Sequence, residues 1–136
     1  MLVKKIKYTD FNGQEREEPF YFNLSKAELM EMELTTDGGL DTYIRRIIAQ
    51  QNNKEIVKLF KELILKSYGE RSDDGKRFVK SKELTDAFTQ TNAYSELFME
   101  LSTNADAAEK FITGVVDPSL AGELKKVNEN APQLVK

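Results

Sequence analysis

Tyr8-Thr-Asp-Phe-Asn-Gly-Gln-Glu-Arg-Glu-Glu-Pro-Phe-Tyr-Phe-Asn-Leu-Ser-Lys-Ala-Glu-Leu29 is the stretch whose reading decides the fold. Strand-like runs, Leu2–Tyr8 and Pro19–Leu24, flank Asp10-Phe11-Asn12-Gly13. Asn-Gly between apolar runs is a strong hairpin signal, because both residues tolerate positive φ. Two turns are open. A two-residue turn on Asn12-Gly13 pairs Ile6 with Pro19 and splits the large apolar residues between the faces. A three-residue turn on Phe11-Asn12-Gly13, with Gly13 left-handed, shifts the pairing by one. Leu2, Ile6, Tyr8, Phe20 and Phe22 then share one face, and Lys7 lies across from Glu17 on the other. A one-residue slip sends every side chain to the opposite face, so burial favours the second register.

The segment then enters a helix. Ser25-Lys-Ala-Glu28 fits a capping box, and Leu24 with Leu29 forms the matching hydrophobic staple. This first helix is read over about Lys26–Leu34, ending before Asp37-Gly38-Gly39. A second runs from about Leu40 to Gln51, with Leu40, Tyr43, Ile44, Ile47 and Ile48 on one stripe and Arg45 and Arg46 off it. A third, about Lys54–Tyr68, repeats the pattern with Ile56, Leu59, Phe60, Leu63 and Ile64, and Gly69 is read as its stop. Ser72–Val79 reads as a loop or a small hairpin turning on Asp74-Gly75. Ser81 caps a short helix with Leu84 and Phe88 inward. Thr91 or Asn92 caps another with Tyr94, Leu97, Phe98 and Leu101 on one side. Asn104 opens a last one through Ala107, Ala108, Phe111 and Ile112.

The fold class read from this pattern is mainly α: a small helical domain with an N-terminal β-hairpin and a flexible C-terminal tail. Residues 1–116 make the domain, with the hairpin expected on the second and third helices. Residues 117–136 make the tail, where isolated Leu and Val stand among Gly, Lys, Glu, Asn and Pro. Such a stretch buries too little apolar surface to offset its ordering entropy. Leu120, Leu124 and Val127 nonetheless lie on one stripe of a potential short helix.

Composition excludes much. The chain of 136 residues has no cysteine and no histidine. Disulfide and thiol chemistry are absent, the usual zinc, copper and haem ligands are missing, and so is the commonest general base. Carboxylate chemistry stays open, but nothing marks a desolvated carboxylate pair. Net charge is −3, with Lys and Arg interleaved among Asp and Glu and no basic stripe. No nucleic-acid partner is expected. No long apolar run or signal-like leader points to a membrane.

Several features read better as structure than as chemistry. Asp73-Asp74-Gly75 lacks the spacing of a calcium loop and reads as a turn. Asp37-Gly-Gly-Leu40 lacks the lysine of a phosphate cradle. Glu15-Arg-Glu-Glu18 reads as a charged strand or turn that discourages edge pairing. Glu28, Glu31 and Glu33 read as a solvated helix face. Met30, Met32 and Met99 are explained by core filling or by an adaptable partner surface. Met30 and Met32, two apart on one helix, cannot face the same way, so one of them is expected to be exposed.

The opening stretch, with Glu33-Leu-Thr-Thr-Asp-Gly-Gly-Leu40, Phe60-Lys-Glu-Leu-Ile-Leu-Lys-Ser-Tyr-Gly69 and Ala93-Tyr-Ser-Glu-Leu-Phe-Met-Glu-Leu101, resembles the tail assembly chaperones of long, non-contractile-tailed bacteriophages of Gram-positive hosts. The resemblance covers residues 1 to about 116. It implies a non-enzymatic protein without cofactor or metal that binds the tape measure protein. The chaperone keeps that protein soluble in the host cytoplasm until tail-tube subunits displace it, and it is not retained in the virion. It also implies a short form, with any tail-tube contact left to a longer frameshifted product. Self-association stays open. The alternative is a non-catalytic regulatory protein-binding domain of phage or host. The partner-contact candidates are Met30, Met32, Leu120, Leu124 and Val127.

The tail reading makes a prediction. Deleting Ser119–Lys136 should move the thermal midpoint by only a few degrees. A fall of about ten degrees would require about one to two kcal/mol of lost packing and a docked tail.

Overall fold

Asp10 and Gly13 close the first turn of this chain in the computed structural model, which describes residues 1–50 and 53–116. Gly13 is left-handed at φ +80°. Its N–H bonds to the Asp10 carbonyl at 3.0 Å, and the Asp10 N–H bonds to the Gln14 carbonyl at 2.9 Å. This is the three-residue turn. It sets β1 (Leu2–Thr9) against β2 (Glu15–Phe22) with Leu2 opposite Phe22, Ile6 opposite Glu18 and Lys7 opposite Glu17. The register that burial favours is the one formed.

The hairpin is part of a larger sheet than the sequence suggested. β3 (Tyr68–Arg71) pairs antiparallel with β2 at Tyr21 and Phe22, and β4 (Phe78–Val79) pairs with β3, giving the order β1-β2-β3-β4. Six helices complete the described elements: α1 (Lys26–Thr35), α2 (Leu40–Gln50), α3 (Asn53–Ser67), α4 (Lys82–Thr89), α5 (Asn92–Thr103) and α6 (Ala105–Val115). The third helix thus stops one residue short of Tyr68, which begins a strand. Its last turn is closed from within. The buried Ser67 hydroxyl donates to the Leu63 carbonyl at 2.5 Å, and the Ser67 carbonyl accepts the Asn23 N–H at 2.7 Å.

Two compact units divide the chain. The first comprises Met1–Asn23 and Phe60–Val115, and the second comprises Leu24–Leu59 and, among the described residues, Val116. In the first unit the inner face of the sheet meets α4, α5 and α6, with α5 and α6 on β1 and α4 on β3. The sequence alone set the hairpin on the second and third helices; within the first unit the close contacts with the sheet come from α4, α5 and α6. These later helices carry aromatic side chains that the sheet's own aromatics reach.

Phe22, fully buried, is the hub of that packing. Its ring lies 5.3 Å from Phe111, 5.8 Å from Tyr68 and 6.0 Å from Phe88. Tyr68 stacks on Phe88 at 4.1 Å and 9°. Phe20, half-buried, lies 5.3 Å from Phe88. Offset and edge-on pairs of this kind add about 0.5–1.5 kcal/mol each beyond the area they bury. Ile6, Leu63, Ile64, Leu97, Leu101 and Phe111 extend the buried set, while Leu2 and Phe98 are half-buried.

In the second unit the capping box of α1 is complete. Ser25 Oγ accepts the Glu28 N–H at 3.1 Å, and Glu28 Oε1 accepts the Ser25 N–H at 2.9 Å. Leu24, Leu29, Leu40, Ile44, Ile47 and Leu59 are buried. Ile48, expected on the same stripe, falls outside the described side chains. So do Leu120, Leu124 and Val127, with the whole expected tail. The reading of Glu33 as solvated is overturned. It is buried, and its Oε2 accepts the Leu40 N–H at 2.6 Å. One helix thereby supplies the N-terminal cap of the next. Gly39 makes room for this. It is left-handed at φ +90°, and a Cβ there would lie 2.5 Å from Glu33 Oε1.

Gly69 is likewise not the helix stop it was read as. It sits within β3, where a Cβ would lie 2.5 Å from the Phe78 ring and 2.6 Å from the Val79 carbonyl. Gly69→Ala should therefore strain the β3–β4 pairing and lower stability by about 1–3 kcal/mol. Gly13→Ala, with open space around its site but the wrong φ, should cost about 1–2 kcal/mol. Urea unfolding of both variants checks the pair. A Gly69→Ala protein as stable as the parent would refute the close-packing explanation.

Candidate partner-binding surface

The features that face outward come mainly from the hairpin. Its inner residues other than Arg16 are buried or half-buried, and its outer column on β1 is Val3, Lys5, Lys7 and Thr9, all exposed. The facing column on β2 is Tyr21, Pro19, Glu17 and Glu15. Val3 is 50% exposed and Phe11, at the tip, is 80% exposed. Neither residue was singled out from sequence. The signal for Val3 was present, because the favoured register places it opposite Tyr21 on the outer face.

The tip that holds Phe11 is built by one carboxylate. Asp10 Oδ1 accepts the N–H groups of Asn12 and Gln14, each at 2.9 Å, and Oδ2 accepts Arg16 Nε at 2.6 Å. Arg16 Nη1 reaches Glu18 Oε2 at 3.3 Å, and the Tyr8 hydroxyl donates to Glu18 Oε1. Arg16, with the N–H groups of Gln14 and Asn12, holds the Asp10 carboxyl below its ordinary value. The hydrogen bond to Glu18 pushes the Tyr8 hydroxyl up. The network is exposed, so it orders the turn more than it adds global stability.

Two open, polar grooves flank β1. One of about 570 Å³ runs beside Leu2–Lys5 and is lined from α5, α6 and their junction by residues including Glu100, Asn104 and Lys110. Lys4 Nζ meets Glu100 Oε1 there at 2.5 Å. The other, about 460 Å³, runs beside Lys7–Thr9 with Glu15, Glu17 and Glu96. On β2's other side a groove of about 310 Å³ is lined by Pro19–Tyr21 and Tyr68–Arg71.

Of the methionines, Met30 and Met32 are both half-buried. The expectation that one of the two stands exposed is therefore corrected. Met99 on α5 is the outward one, at 58%. Asp74 does what the turn reading asks. Its Oδ1 accepts the Lys76 N–H at 3.0 Å and the Ser72 hydroxyl at 2.7 Å, which lowers its pKa. Among the described residues no three acidic side chains converge as metal ligands would, and no helix is long and apolar enough to cross a membrane.

The Asp10 network carries a pH prediction. A carboxyl with a depressed folded pKa favours the ordered turn above its ordinary value of 3.8, and that contribution is lost as pH falls through the folded value. Amide exchange at Asn12 and Gly13, corrected for intrinsic rates, should therefore show protection near about pH 5 that fades toward about pH 2. Asp10→Asn should remove this pH dependence. An unchanged profile in that variant would refute the assignment.

Comparison with known proteins places these surfaces in a family. A family model described as phage tail assembly chaperone matches residues 1–136. No curated protein and no solved structure matches the chain significantly. The family match spans the hairpin, both compact units and the C-terminal stretch, and on that ground the chain belongs to the phage tail assembly chaperones.

Proposed function

We propose that this chaperone binds the tape measure protein in many copies and keeps it soluble in the host cytoplasm until the tail tube polymerises. The observation that carries the reading is the family match over the whole chain. We extend it to long, non-contractile tails and Gram-positive hosts on the sequence resemblance alone. Binding, not catalysis, is the activity proposed.

The physical properties support such a role. The surface mixes both signs of charge and the net charge is negative, which lends solubility to a complex with an aggregation-prone partner. A long partner coated by many copies needs modest contacts at each, because summed contacts supply the retention. Displacement by tube subunits is also easier from weak individual contacts. Met30, Met32, Leu120, Leu124 and Val127 remain the proposed contacts, and the exposed Met99 and Phe11 join them. Flexible methionine suits a surface that repacks along a varied partner.

Co-expression with a tape measure protein tests the reading. The expected outcome is a larger soluble fraction of the partner, with several copies of this chain per partner. No gain in solubility would refute the chaperone reading. A one-to-one complex would refute coating and favour a simple adaptor.

A further inference from the structure

The sheet order leaves β1 with a neighbour on one side only, along its whole length from Leu2 to Thr9. The pairing phase tells which backbone groups face away from that neighbour. The Asp10 N–H bonds across the turn to Gln14, so Asp10 and Gln14 form a hydrogen-bonded pair. In an antiparallel ladder such pairs alternate. Leu2, Lys4, Ile6 and Tyr8 therefore turn their N–H and C=O groups toward β2. The bond from Asn23 N–H to Ser67 C=O, on the far side of β2, gives the same phase independently. Val3, Lys5, Lys7 and Thr9 turn theirs to the free edge. The Thr9 carbonyl is taken by Asn92 Nδ2 at 2.9 Å. The outward groups of Val3, Lys5 and Lys7 have no partner among the described residues.

The two sides of the hairpin are guarded differently. On β2's far side β3 pairs only at Tyr21 and Phe22, and the next residue in phase is Pro19, which has no N–H to offer. β1 carries neither a proline nor a bulge. It carries lysines, and their arrangement selects a partner. On the outer face Glu17 of β2 stands opposite Lys7 of β1, with Lys7 Nζ 3.8 Å from Glu17, while Glu15 lies opposite Thr9 and Pro19 opposite Lys5. A strand added outside β1 would lie next to the lysine column and one strand further from the glutamates. Acidic residues at alternate positions would continue the alternation of sign. A second copy of β1 would set lysine beside lysine, which is unfavourable. Glu96 and Glu100 of α5 line the two grooves beside β1, which disfavours acidic residues on the side of the added strand that faces α5.

We propose that the free edge of β1 takes up an extended segment of a partner protein by strand addition, with acidic residues at every second position and neutral polar residues between them. The recognition rests on main-chain hydrogen bonds to Val3, Lys5 and Lys7 and on the lysine column, as in other edge-strand complexes. It does not depend on the partner being the tape measure protein.

The test uses the full chain and a capped peptide of alternating Thr and Glu, seven residues long, with residue-resolved amide exchange as the readout. At saturating peptide the amides of Val3, Lys5 and Lys7 should exchange about tenfold more slowly. Those of Lys4 and Ile6, already bonded to β2, should change little. The same peptide with Lys for Glu should protect weakly or not at all. Lys5→Glu alters an exposed side chain opposite Pro19 and should weaken the acidic peptide about fivefold while improving the basic one. Unchanged exchange at millimolar acidic peptide would overturn the proposal. Equal response to both peptides would overturn the charge selection. Protection that appears without peptide and grows with protein concentration would make the edge a self-association site and overturn the partner assigned.

Discussion

Phe22 can sit at the centre of the first unit only if the hairpin closes on three residues. Its ring meets Tyr68 from β3, Phe88 from α4 and Phe111 from α6, so elements far apart in the chain converge on it. With a two-residue turn the pairing shifts by one and the outer and inner columns change relative to each other. Phe20 and Phe22 would then share a face with Val3, Lys5 and Lys7 instead of Leu2, Ile6 and Tyr8. The left-handed Gly13 and the Asp10 side chain therefore decide more than a local loop. They align two strands with a core assembled from the other end of the chain.

A second rule runs through the structure: inward or tethered polar groups sit where an element ends. Glu33 bonds the first N–H of α2. Ser67 closes the last turn of α3 and passes its carbonyl to Asn23. Asn92 bonds the last carbonyl of β1. Helix and strand ends leave donors and acceptors without in-element partners, and these side chains supply them. Glu33 shows why the first helix cannot be judged by polarity alone. Its charge lies inward because the α2 N-terminus needs an acceptor there, and Gly39 leaves the space.

The outer surface is organised by contrast with this core. Among the described residues the exposed large apolar side chains are Met1, Val3, Phe11, Val57 and Met99, set among charges of both signs. Such a surface resists self-aggregation while leaving several modest contact points. That balance is suited to the proposed task of holding an aggregation-prone partner and later releasing it. The hairpin contributes in two ways, with a network-ordered tip around Phe11 and an unpaired edge along β1.

The local chemistry of the chain was legible in its sequence. The capping box at Ser25, the N-caps at Ser81 and Thr91, the Asn12-Gly13 and Asp74-Gly75 turns and the apolar stripes of α2, α3 and α5 rest on interactions between residues a few positions apart. Burial of a shared apolar face even selected the hairpin register. Family membership was legible for the same reason, since it is carried by ordered runs of residues. The contact candidates fared less well. Met30 and Met32 are half-buried, while Phe11 and Val3 emerged as exposed only with the structure. Tyr68 read as the last residue of a helix because the strand character of Tyr68–Arg71 comes from β2, distant in sequence. Gly69 read as a stop because nothing local announces the Phe78 ring over it. Glu33 read as solvated because its partner lies across a turn on another helix. Sequence by itself determined the caps, turns and periodicities, whose energies are local. Tertiary structure alone decided which elements meet across those faces and which edge stays open, because those depend on neighbours that the fold brings together.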